Sequence, residues 1–223
     1  MTLRAKSAVG KDRVFEPYWG YEDIGIFFVF MVLLTPVIRL LVYFHLLLRS
    51  ELINPSAGLQ FVLITFLGLA LYLVLKLRHH QQVLKPLGWV LPRTAYVAAA
   101  PLLGISFASG VALYLRLRNE SIPPIPALEL LALGLVFGPI LEESFFRGCL
   151  LPLLAQTIGN GAAVIITAFL FALFHGPANL AHLASFTATG VAYGWLRIAS
   201  RSTTAAALMH ASYNLTLLLL ALL

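Results

Sequence analysis

Two adjacent carboxylates, Glu142 and Glu143, stand deep inside an apolar stretch, and no acidic residue follows them in the chain. A charge at the centre of a membrane helix costs about 2.5–3.5 kcal/mol, so a pair of them there needs a function or a partner. The local sequence is Gly138-Pro139-Ile140-Leu141-Glu142-Glu143-Ser144-Phe145-Phe146-Arg147-Gly148. Glu143 and Arg147 are four residues apart and on a helix meet as an ion pair. Glu142 points about 100° away and has no local cation, which leaves it to find a partner on another helix. A carboxylate so placed has the chemistry of a general base. The competing reading is a polar knot that only holds helices together.

Two further polar clusters follow. Phe171-Ala172-Leu173-Phe174-His175 ends a short apolar run and is succeeded by Gly176-Pro177, which breaks a helix. Broken helices at membrane depth are tolerated where they line a cavity, so His175 is offered at a break, with Phe171, Asn179 and His182 as further candidates for the cavity wall. In the last run, His210 and Asn214 are four apart and share one helical face. Both can donate hydrogen bonds to a developing negative charge, as in an oxyanion hole, or simply bond a neighbouring helix. His175, His210 and Glu142 also make a conceivable two-histidine, one-carboxylate zinc set, but the His-Glu-x-x-His helix that would strengthen a metal reading is missing. Ser144 and Cys149 lie nearby without a Gly-x-Ser-x-Gly elbow or a clear thiolate-activating neighbour.

The elements that must carry these residues are set by composition. Of 223 residues, 60% are apolar and 11% charged, against roughly 45–50% and ~25% in a soluble domain. Too few polar residues are left to coat a soluble exterior, and the mean hydropathy of +0.91 agrees. The expectation is an all-α, polytopic transmembrane bundle of seven or eight spans, one membrane domain over 1–223, with a polar cavity in its C-terminal half. Apolar runs fall at Ile24–Leu48, Ala57–Leu77, Thr94–Leu115, Ala127–Gln156, Ala162–His175, Leu180–Leu196 and Thr203–Leu223. The fourth reads as one tilted span or as a span plus an interfacial helix, and the first as a retained span rather than a signal peptide. The net charge of +6 is dispersed through the breaks between runs, which favours topology and lipid headgroups as its purpose and excludes a nucleic-acid face. The N-terminus and the basic breaks at 76–93 and 197–201 are expected in the cytoplasm. The single cysteine, Cys149, rules out an internal disulfide.

In order along the chain, the three clusters resemble the CPBP family (CAAX protease and bacteriocin-processing, or Abi), intramembrane glutamic endopeptidases. The family pattern Glu-Glu-x-x-x-Arg, Phe-x-x-x-His and His-x-x-x-Asn stands here as Glu142-Glu143-x-x-x-Arg147, Phe171-x-x-x-His175 and His210-x-x-x-Asn214. Phe146-Arg147-Gly148-Cys149-Leu150 also looks like the Phe-Arg-Gly-x-Leu extension of bacterial members, and the catalytic core would occupy 128–218. The resemblance implies that Glu142 and His175 hold and activate a water. His210 and Asn214 would stabilise the oxyanion, and Glu143 with Arg147 would shape the site, with no metal or other cofactor. It further implies a peptide or membrane-protein substrate and a multi-pass protein of a bacterial plasma membrane. One tension accompanies it: counting through seven spans sets His175 farther from the cytoplasm than Glu142 and His210. A catalytically idle scaffold or immunity-type binding protein is the alternative; a transporter is disfavoured because the chain shows no paired repeat.

Overall fold

The computed structural model describes residues 19–48, 66–77, 82–121 and 133–221, all of whose regular structure is helical. The expected runs at 57–65 and 127–132, and the last two residues of the seventh, lie outside the described residues. Helix α1 is Tyr21–Leu48, α2 is Phe66–Leu77 and α3 is Thr94–Leu117. A continuous helical run over 133–158, here α4, follows; then come α5, Asn160–Phe174, α6, Leu180–Ser200, and α7, Thr203–Ala221. By length and composition, α3 and α7 are able to cross a bilayer.

The packing is that of helices in lipid. On α3 the buried residues are Ala100, Gly104, Ala108, Val111, Ala112 and Leu115, while Leu102, Leu103, Ile105, Leu113 and Leu117 are exposed. On α5, Ala163, Val164, Thr167, Ala168 and Ala172 face inward, whereas Ile165, Ile166, Phe169, Leu170 and Leu173 face out. With Leu115 and Phe171 as buried exceptions, small residues inside and large apolar ones outside invert the soluble arrangement, because lipid solvates the large side chains and close backbone approach supplies the helix contacts. Gly190 shows how close: a Cβ there would lie 2.9 Å from Ala168 Cα.

Helix α4 is where the fourth run settles, as one helix with two wide turns. Leu133–Phe137 and Ser144–Leu150 are wound as π-helix, and each is followed within two residues by a proline, Pro139 or Pro152. A proline lacks the N–H for the i→i−4 bond, and its ring clashes with that carbonyl, so the preceding turn opens. The second wide turn is buried along its whole length and begins at the residue after Glu143. Trp19 and Phe27, at the start of α1, cover its outer side against Phe145, with centroid distances of 6.0 and 4.8 Å.

The order of contacts gives the bundle two ends. The 82–93 segment, which leads into α3, bonds the α6–α7 corner through Thr203 N–H to Gly88 O at 2.8 Å. At the far end of α3, Glu120 and Ser121 bond Asn179 and His182 at the start of α6. Helices α3 and α6 therefore run antiparallel.

Candidate active site

Glu143 and Arg147 form the ion pair that their spacing predicts, Arg147 Nη1 donating to Glu143 Oε1 at 3.1 Å with both side chains fully buried. A buried pair repays its desolvation only when its remaining hydrogen-bonding groups are also met. Arg147 Nη2 donates to Gly190 O at 2.9 Å, whereas Arg147 Nε and Glu143 Oε2 are buried with no hydrogen-bond partner among the described residues. Its guanidinium also lies over Phe171, Tyr193 and Phe146, 4.6, 5.3 and 5.7 Å from the ring centres. Glu143 Oε1 takes a second donor, His210 Nδ1, at 3.0 Å.

His175 caps α5 immediately after its last residue. The final carbonyls of a helix lack intrahelical donors, and His175 Nδ1 donates to one of them, Phe171 O, at 2.8 Å. Each imidazole thus has its Nδ1 hydrogen held by an acceptor, which fixes the ring and leaves Nε2 to face elsewhere. Both face the same atom: His175 Nε2 is 3.5 Å and His210 Nε2 4.0 Å from Glu142 Oε2. That carboxylate oxygen is buried and makes no hydrogen bond of its own. The level difference expected between His175 and the other two is removed by α5, which has 15 residues against 21 in α6. It stops inside the length of its neighbour, where the His175 ring lies 4.9 Å from Phe186.

The remaining sequence candidates divide. Phe171 is buried at the centre of the cluster, 4.3 Å from His175 and 5.9 Å from His210 by ring centroids. Asn214 donates from Nδ2 to Gly134 O at 2.8 Å, tying α7 to the first wide turn of α4. An amide NH2 has two hydrogens, so that bond uses one. Asn179 and His182 stand at the other contact. Asn179 Oδ1 caps α6 by accepting from His182 N–H at 2.9 Å, its Nδ2 donates to Glu120 Oε2 at 2.7 Å, and His182 Nε2 meets Ser121 O at 3.0 Å. A helix restarted after Gly176-Pro177 needs its first N–H groups satisfied, and that need holds Asn179 there.

Tyr193 is a member of the cluster that the motifs do not announce. Its ring stacks on His210 at 4.7 Å and 24°, it forms one wall of the cage around Arg147, and it is fully buried. The signal for it is slight: an aromatic set between Gly190 and Gly194, where glycines let another helix approach. Among the described residues, no group of three His, Cys, Asp or Glu side chains is arranged to hold a metal ion.

Two imidazoles thus converge on one buried carboxylate, in a helical fold whose described helices pack as helices in lipid do. Residues 123–216 match the family model described as type II CAAX prenyl endopeptidase, Rce1-like. Over that stretch, somewhat under half of the chain, the likeness to the CAAX-protease family drawn from the three motifs stands, and it supports a membrane protease of CAAX type. No curated protein and no solved structure matches the chain.

Proposed function

We propose that this protein is a glutamic-type intramembrane endopeptidase whose catalytic core occupies 128–218 of a single membrane domain. The observation that carries the reading is the convergence of His175 Nε2 and His210 Nε2 on Glu142 Oε2. A water bound between Glu142 and His175 gives a proton to the Glu142 carboxylate as its oxygen attacks the scissile carbonyl carbon. The carbonyl π electrons move to oxygen, and the resulting oxyanion is met by His210 Nε2–H and by the second amide hydrogen of Asn214. His210 donates from Nε2 only as imidazolium, because its Nδ1 hydrogen is committed to Glu143. Glu143, itself ionised beside Arg147, supports that cation. Collapse of the intermediate breaks the C–N bond, and Glu142 returns the proton to the leaving amine. The products are a carboxylic acid and an amine, which leave as carboxylate and ammonium once the acid passes its proton to the amine, and no oxidant or reductant enters the balance.

The family description supports a peptide or protein substrate, and its wording makes a peptide ending in a prenylated Cys-aliphatic-aliphatic-X sequence the first to test. The location that fits is the plasma membrane of a bacterium, with the N-terminus in the cytoplasm. The test is cleavage of an internally quenched prenylated peptide of that kind by the full chain in proteoliposomes, with and without a chelator. Cleavage that persists in the chelator is expected. Loss restored by zinc would replace this mechanism with a metal-dependent one, and a peptide left intact under both conditions would favour a scaffold or binding protein.

A further inference from the structure

We propose that Trp89, on the segment between α2 and α3, is a positioning residue for the two carboxylates, acting through Ser144; this rests on the proteolytic reading above. The indole N–H of Trp89 donates to Ser144 Oγ at 2.9 Å, and Ser144 Oγ donates to Ile140 O at 2.7 Å. A serine hydroxyl has one hydrogen, and with the indole on a lone pair that hydrogen is directed to Ile140 O. Ile140 and Ser144 bracket the turn that carries Glu142 and Glu143, at the point where α4 passes from α-helix into its second wide turn. A wide turn has slack that an α-helical turn lacks, and a hydroxyl bonded back one turn bends a helix locally. The Trp89–Ser144–Ile140 chain therefore holds the aim of Glu142 toward His175 and His210.

The tryptophan is itself anchored. Gly88, at φ +78°, adopts a backbone conformation that a side chain would strain, and a Cβ there would crowd the Arg197 guanidinium and lie 2.9 Å from Thr203 Oγ1. On one side the segment is bonded to the α6–α7 corner by Thr203 N–H to Gly88 O at 2.8 Å, by Thr203 Oγ1 to Leu87 O and by Ser202 Oγ to Val90 O. On the other, Leu87 O lies 2.9 Å from where a Cβ of Gly148 would be, flush against α4. One segment thus fixes the start of α7, which carries His210, to α4, which carries Glu142 and Glu143. It lies wholly outside 123–216, the stretch that resembles the protease family, so the catalytic geometry depends on a part of the chain that the family likeness does not reach.

Four variants of the full chain test this in proteoliposomes with the prenylated peptide: Trp89→Phe, Ser144→Ala, the two combined, and Ser144→Thr, which keeps the hydroxyl. Leu84→Ala, at an exposed side chain on the same turn, is the control. Hydrogen exchange over 138–150 is read on each. Trp89→Phe and Ser144→Ala are each expected to lower kcat about tenfold at unchanged KM, since small misplacements of reacting groups act on turnover, and to speed exchange over 138–150. The combined variant is expected to be no worse than Ser144→Ala, and Ser144→Thr to restore most of the activity. Wild-type kcat and exchange in Trp89→Phe, or multiplying losses in the combined variant, would overturn the proposal. Ser144→Ala leaves the tryptophan packing in place and carries the test if Trp89→Phe does not fold. If the wild type cleaves nothing, the protease reading fails, and the exchange comparison still decides whether Trp89 holds the turn.

Discussion

Glu143 and Glu142 are neighbours in sequence with opposite fates, and the difference comes from what each can reach. Glu143 meets Arg147 one turn on and His210 across the bundle, both on the same oxygen. Glu142 Oε2 meets, among the described residues, the Nε2 edges of two histidines. Spacing reveals the first pairing because both partners share a helix, and it reveals the faces of His175 and His210 for the same reason. It cannot reveal that Gly190 O and the Tyr193 ring complete the surroundings of Arg147, since these come from α6 and depend on how two helices meet. Nor does it show that Asn179 and His182 are taken up by the cap of α6 and by Glu120 and Ser121. Removing one member of a buried pair leaves an uncompensated charge, at about 3–5 kcal/mol. Arg147→Met should therefore destabilise the protein by that amount in reversible unfolding, and adding Glu143→Gln should recover much of the loss. A single variant as stable as the wild type would show that the pair is not held as described.

At the scale of elements, most helix bounds were legible, because an apolar run between breaks is a strong signal. Thr94–Leu115 appears as Thr94–Leu117, and Ala162–His175 as Asn160–Phe174. The form of the fourth run was not, because its wide turns arise from prolines whose effect depends on the carbonyls before them. The small-residue stripe on α3 likewise gains meaning only from α7, whose Met209, Ser212 and Tyr213 lie against Gly104. Antiparallel α3 and α6, with the 82–93 segment bonded to the α6–α7 corner, place Lys85 and Arg201 at one end and Ser121 at the other. The charge pattern expects the first end in the cytoplasm. Single cysteines at Lys85 and Arg201 should react with an impermeant maleimide only from the cytoplasmic side, and one at Ser121 only from the opposite side. Labelling of Lys85 and Arg201 from different sides would contradict the arrangement.

For the whole molecule, the scarcity of charge has a second meaning beyond placing the chain in lipid. With 11% charged residues, charge is scarce, and among the described residues Glu142, Glu143 and Arg147 gather around the two histidines, while Asp23 and Arg197 are buried elsewhere. The N-terminal helices carry no motif, yet the segment after α2 fastens to both helices that bring the carboxylates and His210 together. Everything proposed for this centre requires that Glu142 act as the base. The direct measurement is kcat for the prenylated peptide with Glu142→Gln in the full reconstituted chain, which keeps the shape of the side chain and removes the base. Turnover should fall by at least about a hundredfold, within the range that general base catalysis supplies, with peptide binding retained. Turnover at the wild-type rate would contradict it.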